Sequence, residues 1–227
     1  MKLSVLALDY DGTIARDDRL DPAVGDAIAE ARRRGVKVML VTGRTLEGLR
    51  RVAGELSFVD GVVAENGAIV HFPNGGLTAP LGPPLPPAFA AGLKERGIPF
   101  EAGQCLVDAD ASTAPRMLDV IRELELPIAL VFNRSRVMAL TQGISKATGL
   151  SAALEMLRER TAEMLRGDKT FSARGGPADL AQPTALAVVH QHAVGHGSMG
   201  RGALRPLAEV VHFASERLDD LIRQWKA

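Results

Sequence analysis

Short apolar runs alternate with helix-periodic stretches through the first third of the chain. Residues 3–8 are largely apolar on both faces and end in acids, which predicts a central parallel strand. Asp21 and Pro22 then open a helix as N-cap and first helical residue. Val24, Ala27, Ile28 and Ala31 make its apolar stripe. Arg32, Arg33 and Arg34 crowd its far end, where the helix dipole favours cations, and Gly35 closes it. These arginines read as a solvated helix end, not a nucleic-acid patch. A second strand at 36–41 ends in Thr42-Gly43-Arg44, a helix follows at about 45–53, and a third strand at 61–64 ends in Glu65-Asn66-Gly67. This order predicts an α/β core, a Rossmann-like parallel sheet with right-handed crossovers. Ligands bind such sheets beyond the carboxyl ends of the strands. Asp9, Thr42 and Asn66 all fall at such ends.

The rhythm changes after Ala68. Asn74-Gly75-Gly76 signals a turn, and residues 80–87 hold five prolines in eight positions, a stiff connection. Helices at about 87–96 and 113–124, with strands near 98–107, 128–132 and 137–140, form an α+β pattern. Residues 69–141 therefore read as an inserted α+β domain, and residues 1–68 and 142–227 as a discontinuous core. A helix is expected at about 147–165, a short strand at 186–189 and a last amphipathic helix at about 204–225, the last two flanking a glycine-rich stretch.

The 227 residues are enough for one large domain or a domain plus an insert. The 27 basic and 27 acidic residues balance, so no global field favours nucleic acid or an anionic membrane, and a small charged ligand must be held by local groups. Neither partner is expected, and oligomeric state is not legible. The one cysteine, Cys105, excludes a disulfide framework and fits a reducing compartment. The first apolar run stops at Asp9, too short for a signal core, and no run approaches bilayer length, so a cytoplasmic protein is expected.

Asp9 and Asp11 sit at i and i+2, and their carboxylates point the same way if the strand continues. Close carboxylates repel unless a cation lies between them or one keeps its proton. A hard ion such as Mg²⁺ takes oxygen ligands of this kind. Gly12 permits a sharp turn and Thr13 can cap it. A bare D-x-D-G is more often a loop with two solvated acids. Directly after a buried strand, and followed by threonine, it reads as a site.

Asp9-Tyr10-Asp11-Gly12-Thr13 resembles the first motif of the haloacid dehalogenase superfamily phosphatases. The resemblance implies that Asp9 is a nucleophile forming an aspartyl-phosphate, and that Asp11 is general acid, then base. It also implies Mg²⁺ held by the Asp9 carboxylate and the Asp11 backbone carbonyl. Thr42-Gly43-Arg44 resembles the second motif, whose hydroxyl and backbone N–H hold phosphoryl oxygens. Arg44 reads equally as a second phosphate ligand or as surface. Glu65-Asn66-Gly67-Ala68 resembles the entry to the cap of the Cof-like (C2-cap) subgroup, with Asn66 either touching substrate or only forming the turn. Lys146, in Gly143-x-x-Lys146-x-x-Gly149-Leu150, resembles the third motif. A lysine there would neutralise Asp9 and phosphate together, beside the free N–H groups of a helix start.

The resemblance covers about residues 1–154. The fourth motif, an apolar strand ending in Gly-Asp with another acid close behind, is not recognisable. Gly167-Asp168 has the dipeptide but follows a helical stretch, and Asp179 lies eleven residues further on. Three explanations stay open: Asp168 or Asp179 is a substitute metal ligand, the chain is a pseudo-enzyme, or the segment at about 160–200 is disrupted. His190, His192 and His196 lack zinc-site spacing. The expectation is a Mg²⁺-dependent hydrolase of a small phosphorylated metabolite, of sugar phosphate or phosphoglycolate type. The alternative is a catalytically weak relative that binds such a metabolite. A phosphomutase, which shares the first motif, ranks third.

Overall fold

A computed structural model describes residues 5–16, 18–167, 186–190 and 210–214. In chain order the elements are β1 (Val5–Asp9), β2 (Ala15–Arg16), β3 (Arg19–Leu20), α1 (Pro22–Arg33), β4 (Lys37–Val41), α2 (Leu46–Ala53), β5 (Gly61–Ala64), β6 (Ile69–Phe72) and β7 (Leu77–Pro80). Then come α3 (Pro87–Glu95), β8 (Phe100–Ala102), β9 (Leu106–Asp110), α4 (Ala114–Glu123), β10 (Ile128–Asn133), β11 (Arg136–Thr141), α5 (Lys146–Gly167), β12 (Leu186–His190) and β13 (Val210–Ala214). The helix punctuation acts as expected: Asp21 accepts from Ala23 N at 2.9 Å, and Gly35 takes φ +82°.

Seven of the described strands form one sheet in the order β13-β12-β1-β4-β5-β6-β7, parallel from β13 to β5 and antiparallel thereafter. The period of two sorts the side chains onto its faces. Leu6, Leu8, Leu40 and Val62 pack with Ile28 of α1 and Leu49 of α2, whereas Ala7, Met39, Val41 and Val63 pack with Leu150, Ala153 and Leu154 of α5. Helices therefore cover both faces, which is why the central strands read as continuous apolar runs. A second, antiparallel sheet runs β10-β11-β9-β8. One of its faces buries Val107, Ala109, Val137 and Ala139 with Phe89 and Leu93 of α3 and Met117 and Val120 of α4. The other carries Leu106, Met138 and Leu140 beside Ile144. Among the described residues no helix is long and apolar enough to cross a membrane.

Two expectations need correction. The insert expected from residue 69 starts later, because β6 and β7 belong to the large sheet. Ile69, Val70, His71 and Phe72 are buried to a residue, and Asn74-Gly75-Gly76 closes their hairpin to β7 instead of starting a linker. The second sheet and its two helices lie within residues 81–141. The final helix expected at about 204–225 is also interrupted. Val210–Ala214 is a strand parallel to β12, in keeping with the β-branched pair Val210-Val211. The rest of that stretch lies outside the described residues.

Two close approaches fix the frame. A Cβ on Gly82 would lie 3.5 Å from Ile144 Cδ1 and 3.9 Å from Thr141 Cβ, so the outgoing and returning connections of the second sheet run side by side. At the other approach, the Glu65–Gly67 turn seats the start of α5. A Cβ on Gly67, whose φ is +107°, would overlap the Ser145 carbonyl, and one on Gly149 would lie 2.5 Å from Gly67 Cα. Gly67→Ala therefore combines left-handed strain with a backbone collision. It is expected to destabilise the fold by about 2–4 kcal/mol in urea unfolding. A loss below about 0.5 kcal/mol would contradict this packing.

Candidate active site

Backbone bonds draw three strand ends together. β1 and β4 run in register to Asp9 opposite Val41. Thr42 N donates to Val63 O at 2.8 Å, Glu65 N to Arg44 O at 2.8 Å, and Asn66 N to Thr42 O at 3.1 Å. The 42–44 turn is thus stitched to the end of β5 beside the end of β1. Lys146, the first residue of α5, places Nζ 2.9 Å from Asp9 Oδ1 across 137 positions of sequence. Both side chains are partly exposed, so the pair faces an accessible space.

Asp11 is held separately. Arg44 Nε donates to its two oxygens at 2.9 and 3.1 Å, and Nη2 donates to Oδ1 at 2.6 Å. Thr42 Oγ1 approaches Oδ2 at 3.5 Å. Arg44 also bonds Asp18, at the turn between β2 and β3, and lies over the Tyr10 ring at 5.8 Å. The Asp11 hydrogen bonds raise the guanidinium further above its already high ordinary value. Tyr10 is fully buried, donates to Asp18 O at 3.2 Å, and has its phenol pushed up by burial. In this state Arg44 is neither bare surface nor a free phosphate ligand. It is a fork orienting Asp11. Sequence reasoning missed Asp18, whose signal was an acidic pair between two short strands.

Thr42 is fully buried and its Oγ1 accepts from Arg44 N at 3.1 Å, which fixes the hydroxyl beside the Asp11 carboxylate. Gly43 faces the second sheet: a Cβ there would meet Met138 Sδ at 3.3 Å, so Met138 roofs the turn. Asn66 is buried with φ +54°, in the left-handed region that asparagine tolerates. Asp9, Asp11, Thr42, Gly43, Arg44, Asn66 and Lys146 therefore gather at one end of the sheet.

Asp168 and Asp179 lie outside the described residues, as do His192 and His196. Gly167 closes α5, so the stretch before Asp168 is helical, as the sequence suggested. The strand beside β1 is β12, which ends at His190 and contains no acid. Among the described residues no group of three or more His, Cys, Asp or Glu is placed for a metal ion. The two described carboxylates are nonetheless hard oxygen donors. Mg²⁺ commonly takes one or two carboxylates, substrate phosphate and water, so the donor chemistry of Asp9 and Asp11 fits that ion.

In sequence Glu65 belongs only to the stretch that resembles a cap entry and has no role of its own, yet it is a buried carboxylate. Its Oε1 accepts from Gln104 N at 2.9 Å and its Oε2 from Cys105 N at 2.7 Å. Burial pushes its carboxyl above the ordinary glutamate value, against the lowering effect of these bonds. The folded state therefore holds this proton to higher pH than the unfolded state does. The group's contribution to stability is full below the unfolded value, about 4.3, and is lost as pH rises through the raised folded value. Relative to Glu65→Gln, the wild type is expected to lose stability as pH rises through that window. Urea unfolding across the window checks this, and a rising difference would contradict it.

The haloacid dehalogenase-like hydrolase family matches residues 6–80. YxeH of Bacillus subtilis is 40% identical over 71 residues, 30% of this chain and 26% of that protein. The phosphoglycolate phosphatase of Sulfolobus acidocaldarius is 33% identical over 75 residues, 32% of this chain and 33% of that protein. The matches thus span about a third or less of these relatives' lengths. A solved haloacid dehalogenase-like hydrolase from Bacteroides thetaiotaomicron aligns over 99% of both chains, with a TM-score of 0.60 at 12% identity. A subclass IIB sugar phosphatase aligns over 98% of both, with a TM-score of 0.52 at 14% identity. The matched segment contains the β1 acids and the turn that receives them, so residues 6–80 are similar to the haloacid dehalogenase-like hydrolase family, and the fold of the chain recurs along solved hydrolases.

Proposed function

We propose that this chain hydrolyses phosphomonoesters of small metabolites through an aspartyl-phosphate on Asp9. The 2.9 Å contact of Lys146 Nζ with Asp9 Oδ1 carries the reading. It pairs a partly exposed carboxylate with a cation at the start of a helix, beyond the central strand, where a phosphoryl group would be neutralised on arrival. Asp9 attacks phosphorus through a carboxylate oxygen, and the leaving oxygen takes a proton from Asp11. Asp11 then removes a proton from water, which attacks the phosphoenzyme and regenerates Asp9. The Thr42 hydroxyl, the Gly43 backbone N–H and Lys146 hold the phosphoryl oxygens. Arg44, anchored by Asp18, keeps the Asp11 carboxyl in one orientation, and Asn66 lies at the edge where the substrate's remainder would pass. Asp9 and Asp11 would hold Mg²⁺, with Asp168 as a further ligand. When bound, the ion supplies positive charge to the transferring phosphoryl group.

The names of the relatives support a sugar phosphate or phosphoglycolate type of substrate. The segment at 81–141 acts as a cap that excludes water and selects among such esters, with Met138 over the phosphate turn. The buried free thiol of Cys105 suits a reducing, cytoplasmic setting.

Phosphate release from a panel of phosphomonoesters tests the proposal. Turnover is expected with Mg²⁺ and not with a chelator, and Asp9→Asn should abolish it. Lys146→Ala is expected to lower kcat on the order of 10²- to 10³-fold, the range for losing one preorganised charge-stabilising group. Undiminished turnover in folded Asp9→Asn would sink the mechanism.

One observation favours a second reading, a protein that binds a phosphorylated metabolite without turning it over. Both described carboxylates at the head of β1 are already engaged by cations. Saturable binding of a sugar phosphate with no phosphate release, from folded wild-type protein, selects that reading.

A further inference from the structure

We propose that Glu65 is a positioning residue that latches the loop before β9 onto the core sheet and so holds the second sheet over the site. The latch deepens the phosphatase reading but has a readout that needs no turnover.

Four observations converge on it. Glu65 directly follows β5 of the large sheet, is 1% exposed, and spends both carboxylate oxygens on the backbone N–H groups of Gln104 and Cys105 in the second sheet's loop. A Cβ on Gly103 would overlap the carboxylate, so the loop comes this close only with glycine there. Cys105 then packs in the same cluster as Leu6, Leu8 and Leu40 of the large sheet, and its thiol donates to Gly82 O at 3.3 Å. The loop is thus built into the core it covers. Finally, Glu65 and Asn66 both take positive φ, 52° and 54°, conformations that non-glycine residues hold only when their surroundings impose them. The bond from Thr45 Oγ1 to Glu101 Oε1 at 2.7 Å makes a second, more exposed tie between the same two regions.

The latch controls access because it sits beside the substrate turn. Glu65 N donates to Arg44 O, and Asn66 N to Thr42 O, so the residue that grips the loop is bonded into the segment that orients Asp11. Releasing the carboxylate frees the loop at 103–105 and, with it, the strands that carry Met138 over Gly43. An uncharged amide at position 65 satisfies one N–H and opposes the other with its own donors.

Cys105 is the chain's one cysteine and lies under the latch, so its alkylation by a maleimide reports opening. Labelling of the full chain, followed by mass, is expected to run about tenfold faster in Glu65→Gln, the effect of one unsatisfied buried donor. Glu101→Gln should accelerate it less. The wild type alone carries a second test. Labelling through a local opening depends on urea more weakly than global unfolding does. Wild-type rates in folded Glu65→Gln, or a urea dependence equal to that of global unfolding, would overturn the latch. Phosphate release is assayed on the same preparations. An inactive wild type whose Cys105 is still unmasked by Glu65→Gln keeps the latch and removes the phosphatase reading instead.

Discussion

The contact between Lys146 and Asp9 depends on how closely one helix start can approach one turn. α5 begins where two glycines meet, Gly67 in a left-handed conformation and Gly149 one turn into the helix. A side chain at either position would push the helix outward, and Lys146 moves with the helix. The sheet fixes the other partner, since Asp9 closes a strand paired on both sides. A contact between residues 137 positions apart is thus set by backbone packing rather than by side-chain reach.

The electrostatics follow from that frame. Three acids, Asp9, Asp11 and Asp18, stand near two cations, Lys146 and Arg44, and the pairing is divided. Lys146 serves the acid at the strand end, whereas Arg44 bridges the other two from a bed formed by the Tyr10 ring. Separate partners give the two carboxylates of the D-x-D pair different surroundings, which accords with the two different tasks proposed for them. The buried Tyr10 underlies the Arg44 pairs and bonds the Asp18 carbonyl.

Much of this was legible because it is local. The period of the apolar runs, the Asp21-Pro22 start of α1 and the acids after a buried strand are short-range signals, and β1, β4, β5 and the helices of the core followed from them, whereas β2, β3, β6 and β7 did not. What stayed hidden was pairing. Residues 69–80 read as the start of an insert because the composition changes there, but hydrogen bonding gave them to the large sheet. Arg44 divided evenly between ligand and surface because Asp18, its anchor, is joined to it only through the β2–β3 turn. Glu65 carried no signal of its own because its partners lie 39 and 40 positions away. No acid of the expected fourth motif is found in β12, the described strand that pairs with β1 on the side away from β4.

The two connections of the second sheet, close enough for Gly82 to lie against Thr141 and Ile144, have a consequence for how such a chain diversifies. A unit whose chain enters and leaves at one place can be lengthened or shortened at its far edge without rerouting the sheet that holds the acids, provided that the ties at Glu65 and Thr45 are kept. The paired connections leave one easy axis of rotation only once the Glu65 and Thr45 ties are released, and the far edge would then travel furthest for the smallest strain at the root.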